Sequence, residues 1–126
     1  MPGLTYDAGA LLAGEASDRR LWALHRRLLE RGIRPVVPTG VLGQAWRGGP
    51  QAELSRLLKG CRIEDLDEAR ARAAGAACAR SETADVLDAT VVVGALARGD
   101  VIVTSDPKDM ERIAAGLHAT LELISV

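Results

Sequence analysis

Short apolar runs alternate with longer segments of helical periodicity along most of the chain. Strand patterns occur at Leu4 to Asp7, Val36-Val37, 62–66, Val101 to Thr104 and 121–126. Segments between them with helical periodicity or capping residues are 8–14, 18–32, 39–46, 52–58, 67–80, 85–98 and 107–115. Strands separated by helices predict an α/β fold, with a mostly parallel sheet and helices on both of its faces.

Capping residues mark several of the predicted helix starts. Thr39 and Asp67 precede helical patterns, and either side chain can accept a hydrogen bond from a free backbone N–H group. The segment Asp106-Pro107-x-Asp109 combines a capping residue, a proline at the first helical position and an acidic residue in the first turn. We therefore expect Asp106 to cap the last helix.

Length and composition fit one globular domain over residues 1–126. Residues of the AVILMFWYC set make up 48% of the chain, and charged residues make up 26%. No apolar run approaches the roughly 20 residues of a membrane span, and the start of the chain lacks the pattern of a secretion signal. Cys61 and Cys78 lack the C-x-x-C spacing of a zinc site and are predicted to be buried free thiols. A cytoplasmic protein without a membrane segment is expected.

The net charge of −1 is unevenly distributed. Residues 1–62 hold ten Lys and Arg against five Asp and Glu, whereas residues 63–126 hold six against twelve. The first half thus carries +5 and the second −6. The arginines suit either a solvated helix face or a phosphate-binding surface beside an acidic cleft.

Three aspartates fall at junctions between predicted strands and helices or at helix starts. Asp7 ends the first strand, Asp106 follows the run from Val101 to Ser105, and Asp88 opens an apolar helix three residues after Asp85. The carboxyl ends of parallel strands meet at one edge of a sheet, where ligands bind. Each aspartate could be only a helix cap, or a partner of an arginine. Together they indicate a site for a hard cation.

These residues also carry a resemblance to a known family. The segments Tyr6-Asp7, Asp85-Val86-Leu87-Asp88-Ala89 and 103–109, Val-Thr-Ser-Asp-Pro-Lys-Asp, resemble PIN domains of the VapC toxin type in order and spacing. The resemblance extends over essentially the whole chain. It implies a three-layer α/β/α sandwich around a parallel sheet, with the acidic residues gathered in one cleft.

The resemblance also implies an activity and a site. PIN domains of this type are ribonucleases in which carboxylates bind Mg²⁺ or Mn²⁺, and both ions prefer oxygen ligands. By resemblance Asp7, Asp88 and Asp106 are the metal ligands and catalytic residues. Secondary positions near the cation, or side chains that orient a ligand or water, are Asp85, Asp109, Thr104 and Ser105.

One position departs from the family pattern. The segment Val41 to Arg47 aligns with a helix that normally supplies a glutamate, and the residue here is Gln44. A carboxamide offers an oxygen but no negative charge, so weaker metal binding and slower or more Mn²⁺-dependent turnover are expected. The alternative is that Gln44 is a solvent-facing helix residue, since glutamine is usually exposed. Arg47, beside the Gly48-Gly49 turn, is a candidate phosphate contact, and Trp46 is expected in the core or against a partner.

Other enzyme classes lack their motifs. The sequence contains no P-loop, no G-x-G-x-x-G fingerprint and no G-x-S-x-G elbow. His25 and His118 have no second ligand at metal spacing and are expected to be structural. The resemblance implies an RNA substrate, a small VapB-type antitoxin and a homodimer. The competing hypothesis is a catalytically silent PIN-like domain that binds RNA or protein, because Gln44 replaces a carboxylate.

Overall fold

The structure, a computed structural model, describes residues 2–126. Five short strands form one sheet, and their bounds are β1 Leu4–Tyr6, β2 Val36–Pro38, β3 Arg62–Glu64, β4 Val101–Thr104 and β5 Leu123–Ser125. Seven helices connect or follow them, α1 Ala8–Glu15, α2 Arg19–Glu30, α3 Thr39–Ala45, α4 Ala52–Lys59, α5 Glu68–Ser81, α6 Val86–Arg98 and α7 Pro107–Gly116.

The sheet is parallel throughout, with the strand order β3-β2-β1-β4-β5. Its central pair is β1 and β4, in which Tyr6 lies opposite Val103. Because all strands run in the same direction, their carboxyl ends form one edge of the sheet. The residues that follow β1 and β4 are therefore neighbours in space although they are about a hundred positions apart.

The helices pack in two groups. The helices α5, α6 and α7 contact one another, and α1 contacts α2, α3 and α4. The strands between these groups are apolar on both faces, with Leu4, Val37, Ile102 and Val103 at most 2% exposed. This is the pattern of a parallel sheet covered on both sides. The predicted α/β/α fold is confirmed.

Local signals placed most of the elements correctly. Asp18 caps α2 through a 2.9 Å hydrogen bond from the Leu21 N–H to its carboxylate, and Asp67 caps α5 in the same way. Gly99 ends α6 in the left-handed conformation, at a φ of 73°, which glycine adopts without strain. The expectation that Thr39 caps a helix was wrong, because Thr39 is already the first residue of α3.

The two edge strands are shorter than predicted. The alternating pattern over 62–66 gives a strand of only three residues, as does the apolar run over 121–126. Each edge strand pairs with one neighbour only, so residues beyond the reach of that partner lack ladder hydrogen bonds.

A network of charged side chains joins the sheet to the end of α6. The Arg98 guanidinium donates to the carboxylates of Asp100 and Glu64, at 2.9 and 2.6 Å, and to the Thr5 hydroxyl at 2.9 Å. Arg70 contributes a further ion pair to Glu64 at 3.2 Å. The Arg98 side chain is only 17% exposed and that of Asp100 only 6%. Arg98 therefore connects β1, β3 and the start of β4 through one side chain.

The cysteines and histidines lie outside the carboxyl edge. Cys61 and Cys78 are buried free thiols, as expected. His25 is buried, and its Nδ1 lies 3.0 Å from the Tyr6 hydroxyl. His118 is exposed. Within residues 2–126 no helix has the length and apolar character needed to cross a membrane.

Candidate metal site at the carboxyl edge of the sheet

Asp7 follows β1 directly and is held rigidly. Its backbone N–H donates to the Val103 carbonyl at 3.1 Å, and its side chain accepts from the Ala10 N–H at 2.9 Å as the N-cap of α1. Only 5% of Asp7 is exposed, and burial raises the pKa of its carboxyl. Hydrogen bonds from the Thr104 hydroxyl and from nearby backbone N–H groups lower that pKa and so limit the rise. A buried, oriented carboxylate oxygen results.

Thr104 and Ser105 end the neighbouring strand beside Asp7. Thr104 is fully buried, and its Oγ1 accepts a 2.9 Å hydrogen bond from the Asp106 N–H. Ser105 is exposed and lies directly against Gly9, where a Cβ atom would collide with the serine hydroxyl. Glycine at position 9 thus permits the first turn of α1 to approach the end of β4. This close approach brings the two strand ends together.

Asp85 and Asp88 form the start of α6. The Asp85 carboxylate caps the helix by accepting from the Asp88 N–H at 3.0 Å. Burial, followed by the nearby Asp85 carboxylate and the charges of Asp7 and Asp109, raises the pKa of the Asp88 carboxyl to about 7. Asp88 therefore lies among three other carboxyl groups that disfavour its ionised form. A cation at this point would relieve that repulsion.

The raised pKa of Asp88 has a consequence for stability. The pKa of an aspartate in the unfolded chain is about 3.9. Between about pH 4 and 7, Asp88 in the folded protein therefore keeps a proton that it loses in the unfolded chain. The free energy of unfolding should therefore decrease as pH rises through this window. In Asp88→Asn the decrease should be smaller. Urea unfolding of both proteins across this pH range, with a chelator present, measures the difference, and parallel pH profiles would contradict the assignment.

Asp106 precedes α7, but its side chain makes no capping hydrogen bond. The expectation that Asp106 caps this helix was wrong. The Asp106 carboxyl instead forms a hydrogen bond with Asp109, and this bond together with the Asp106 charge raises the pKa of Asp109. Both residues are exposed. Pro107 removes one N–H from the start of the helix and presets its φ, and the Asp106 carboxyl, which caps nothing, remains available for another partner.

A cleft lies between the start of α6 and α7. Its volume is about 180 Å³, and its lining residues are Thr83, Asp85, Asp88, Asp109, Arg112 and Ile113. In the part of the chain that the structure describes, no three His, Cys, Asp or Glu side chains form a ready group for chelating a metal ion. The carboxyl groups nevertheless influence one another's pKa, so they are close in space. The donor set consists of carboxylate oxygens, which hard divalent cations prefer.

Gln44 lies on α3, which follows β2 at the same edge of the sheet. The start of α3 contacts α6, because a Cβ atom at Gly40 would collide with the Leu87 side chain, the neighbour of Asp88. Gln44 is one helical turn after Gly40 and shares its face. Its side chain is partly buried. Position 44 is therefore on the side of α3 that faces the start of α6. The Gln44 carboxamide is neutral, so it adds no negative charge beside the aspartates there.

Arg47 and Trp46 lie beyond the other end of α3. The Arg47 guanidinium donates to the carbonyls of Gly43 and Trp46, at 3.3 and 2.7 Å. These are carbonyls in the last turn and at the C-cap of the helix, which cationic side chains commonly satisfy. Trp46 is 42% exposed, so it is not a core residue. The structure gives Arg47 a local role at the helix end, and phosphate contact by Arg47 stays a prediction.

The cleft also contains residues that the sequence did not single out. Arg112 lies three positions after Asp109, on the same face of α7, and Thr83 accepts a 3.2 Å hydrogen bond from the Asp85 N–H. The helical spacing from Asp109 was the available signal for Arg112. Nothing in the sequence indicates that α7 presents this face to the start of α6.

No known family model matches the sequence, and no curated protein matches it significantly. Solved structures do resemble it. The crystal structure of VapBC2 from Rickettsia felis, bound to a DNA fragment from their promoter, matches with a TM-score of 0.74 and 15% identity, over 98% of both chains. PAE2754 from Pyrobaculum aerophilum matches with a TM-score of 0.67 and 18% identity, over 99% of this chain and 91% of that chain. These similarities confirm the PIN-like fold predicted from the sequence.

Proposed function

We propose that this protein is a metal-dependent endoribonuclease of the VapC toxin type, which cleaves RNA phosphodiesters with Mg²⁺ or Mn²⁺. The observation that supports this most directly is the group of aspartates at the carboxyl edge of a PIN-like sheet. Asp88 lies there, and its burial together with the charges of Asp85, Asp7 and Asp109 raises its pKa to about 7. Carboxyl groups whose pKa values are raised by burial and by neighbouring charges are common at functional sites.

In this proposal Asp7, Asp88 and Asp106 hold the cation. Mg²⁺ and Mn²⁺ fit the donor set, since both take carboxylate oxygens. When bound, the ion supplies a polarised water and neutralises charge that develops on phosphorus. The exposed Asp106 carboxyl makes no capping hydrogen bond that it would have to lose, so it can rotate from Asp109 toward the cation. Asp109 then remains beside the site, where it can accept hydrogen bonds from water bound to the cation.

The other polar residues position these ligands. The Thr104 hydroxyl and the Ala10 N–H restrict the Asp7 carboxylate, and the Asp85 carboxylate fixes the first turn of α6 that carries Asp88. A ligand whose own hydrogen bonds are satisfied loses little entropy when the cation binds. Ser105, exposed at the end of β4, can orient a water or a substrate oxygen.

The test of the proposal is cleavage of structured RNAs by the purified protein. We expect cleavage in Mg²⁺ or Mn²⁺ and none after addition of a chelator. Isothermal titration with Mn²⁺ should detect binding that Asp88→Asn weakens. If neither metal binds and no RNA is cleaved by the folded protein, the proposal is wrong.

Gln44→Glu is expected to tighten Mg²⁺ binding about 10-fold, because a carboxylate at this position adds a negative charge on the face of α3 toward α6. Titration of Mg²⁺ against both proteins measures the change. Gln44→Ala serves as the control, since it removes the amide without adding charge and should leave the affinity within a few-fold of wild type. Equal affinities for all three proteins would exclude position 44 from the site.

A second candidate function is a catalytically silent PIN-like domain that binds RNA or protein. Two observations favour it: Gln44 replaces a carboxylate, and residues 2–126 contain no ready chelating group. Under this alternative the protein binds Mn²⁺ no better than Asp88→Asn does. The metal titration above therefore separates the two functions before any RNA target is known.

The proposed class also implies partners. We infer a cytoplasmic protein that forms a homodimer and binds a small VapB-type antitoxin, in keeping with the similarity to VapBC2. Leu12, on α1, is 51% exposed, and Trp46, which directly follows α3, is 42% exposed. The helices α1 and α3 contact each other. Exposed apolar side chains of this size are typical of protein-binding surfaces. Sedimentation of the protein alone and with a co-expressed antitoxin tests both inferences.

A further inference from the structure

One wall of the acidic cleft carries a cation. Arg112 lies on α7 and lines the 180 Å³ cleft together with Asp85, Asp88 and Asp109. Its side chain is exposed, so the guanidinium is accessible from solvent. Among the described residues that line this cleft, Arg112 is the only cation. The guanidinium is close enough to Asp109 to lower the pKa of that carboxyl.

The contacts of Arg112 leave most of its donors available. One terminal nitrogen, Nη2, donates to the backbone carbonyl of Glu82 at 3.1 Å. Glu82 is the left-handed residue that ends α5, so this bond fixes the arginine against the α5–α6 connection. A guanidinium has five N–H donors. Within residues 2–126, Arg112 forms no ion pair within 4.0 Å.

A cleft lined by carboxylates repels a polyanion unless a cation compensates for the charge. A bound metal ion supplies part of that compensation at the aspartates. An arginine can compensate for the remaining negative charge of the polyanion, since its planar guanidinium matches two phosphate oxygens and stays charged at every physiological pH. The guanidinium of Arg112 is anchored at one edge by Glu82, which reduces the entropy lost when it binds an oxyanion.

We propose that Arg112 binds a backbone phosphate of the RNA substrate and thereby draws the strand to the carboxylates of the cleft. This inference rests on the proposed nuclease function. Arg47, the candidate from the sequence, has its guanidinium on the carbonyls of Gly43 and Trp46 instead. Arg112, by contrast, donates only to the Glu82 carbonyl and forms no ion pair within 4.0 Å among residues 2–126, so its guanidinium can bind a phosphate.

The experiment compares Arg112→Gln with Arg80→Gln. Arg80 is also an exposed arginine, on the neighbouring helix α5 and outside the cleft, and its substitution changes the net charge by the same amount. RNA binding is measured by fluorescence anisotropy in the Asp7→Asn background, so that the RNA is not cut. We expect Arg112→Gln to weaken binding about 10-fold and to reduce the slope of log K against log salt by about 0.7, the value for one phosphate contact on a single strand. Arg80→Gln should leave both unchanged.

Arg112→Lys provides a readout that a purely structural role would not give. Lysine keeps the charge but loses the planar fork, so the salt dependence should be restored while affinity recovers only in part. This variant also remains informative if Arg112→Gln fails to fold. Equal affinity and salt slope for Arg112→Gln and Arg80→Gln would overturn the inference, as would failure of folded Arg112→Lys to restore the slope.

The outcomes separate this inference from the proposed function. If the wild-type protein neither binds Mn²⁺ nor cleaves RNA, the proposed function is wrong and the inference fails with it. If the wild-type protein cleaves RNA but the Arg112 variants cleave and bind as well as Arg80→Gln does, only the inference is wrong. Metal binding in Arg112→Gln should match the wild type, because Arg112 is not a proposed ligand.

Discussion

Asp7→Asn is expected to lower metal-dependent cleavage of RNA at least about 100-fold while the protein stays folded. Asn is as good a helix N-cap as Asp, so the bond from the Ala10 N–H should survive the substitution. The substitution removes a negative charge from a residue that is only 5% exposed. Little water can reach this position to replace the carboxylate as a partner of the cation. Initial cleavage rates in Mg²⁺ and Mn²⁺, with thermal unfolding as the check on folding, measure the effect.

Asp18→Asn is the matched control. Asp18 caps α2 in the same manner, through a 2.9 Å bond from the Leu21 N–H, but it is exposed and away from the carboxyl edge. Its substitution should leave the cleavage rate unchanged. If Asp7→Asn cleaved RNA within a few-fold of Asp18→Asn, the Asp7 carboxylate would be a helix cap and not a metal ligand.

Arg98→Met is expected to lower the free energy of unfolding by about 3 kcal/mol, since it removes the cation shared by two carboxylates. Asp100, whose side chain is 6% exposed, would keep only the hydrogen bond from the Thr5 hydroxyl. Glu64 keeps its ion pair with Arg70, so the loss is smaller than for a wholly unpaired charge. Urea unfolding at neutral pH measures the change.

Arg72→Met is the control for this prediction. Arg72 pairs with Glu68 at 2.8 Å, but both side chains are 79% exposed, and such a pair contributes at most about 1 kcal/mol. Below the unfolding transition, Arg98→Met should bind Mn²⁺ as the wild type does, because Arg98 ends α6, at the opposite end of that helix from Asp88. A loss of stability no larger than that of Arg72→Met would show that the Arg98 network is dispensable.

Much of the local structure could be predicted because its causes are local. The side chains of Asp18 and Asp67 reach only to the third residue after them, so a cap can be identified from a few positions of sequence. Asp106 shows the limit of this logic. Its surroundings have every feature of a cap, yet its carboxyl makes no capping hydrogen bond and lies beside Asp109, one helical turn on.

The candidate site could be predicted in part for a topological reason. Parallel strands place their carboxyl ends at one edge, so Asp7 and Asp106 had to be neighbours if β1 and β4 were adjacent. The place of Arg112 in the cleft could not be predicted, since it depends on how α7 is rotated against the α5–α6 connection. That rotation is fixed by packing, including the Ser81 hydroxyl, which donates to the Ile113 carbonyl at 3.0 Å.

The sequence by itself determined the order of strands and helices, most of the helix ends and the aspartates that follow the strands, since these depend on periodicity and on contacts within one turn. Only the tertiary structure decided the strand order β3-β2-β1-β4-β5 and the ion pair between Arg98 and Glu64, which are 34 positions apart. It also decided that Asp88 lies close enough to Asp7 for the Asp7 charge to raise its pKa. Such contacts depend on which surfaces exclude water together, and local patterns do not specify their partners.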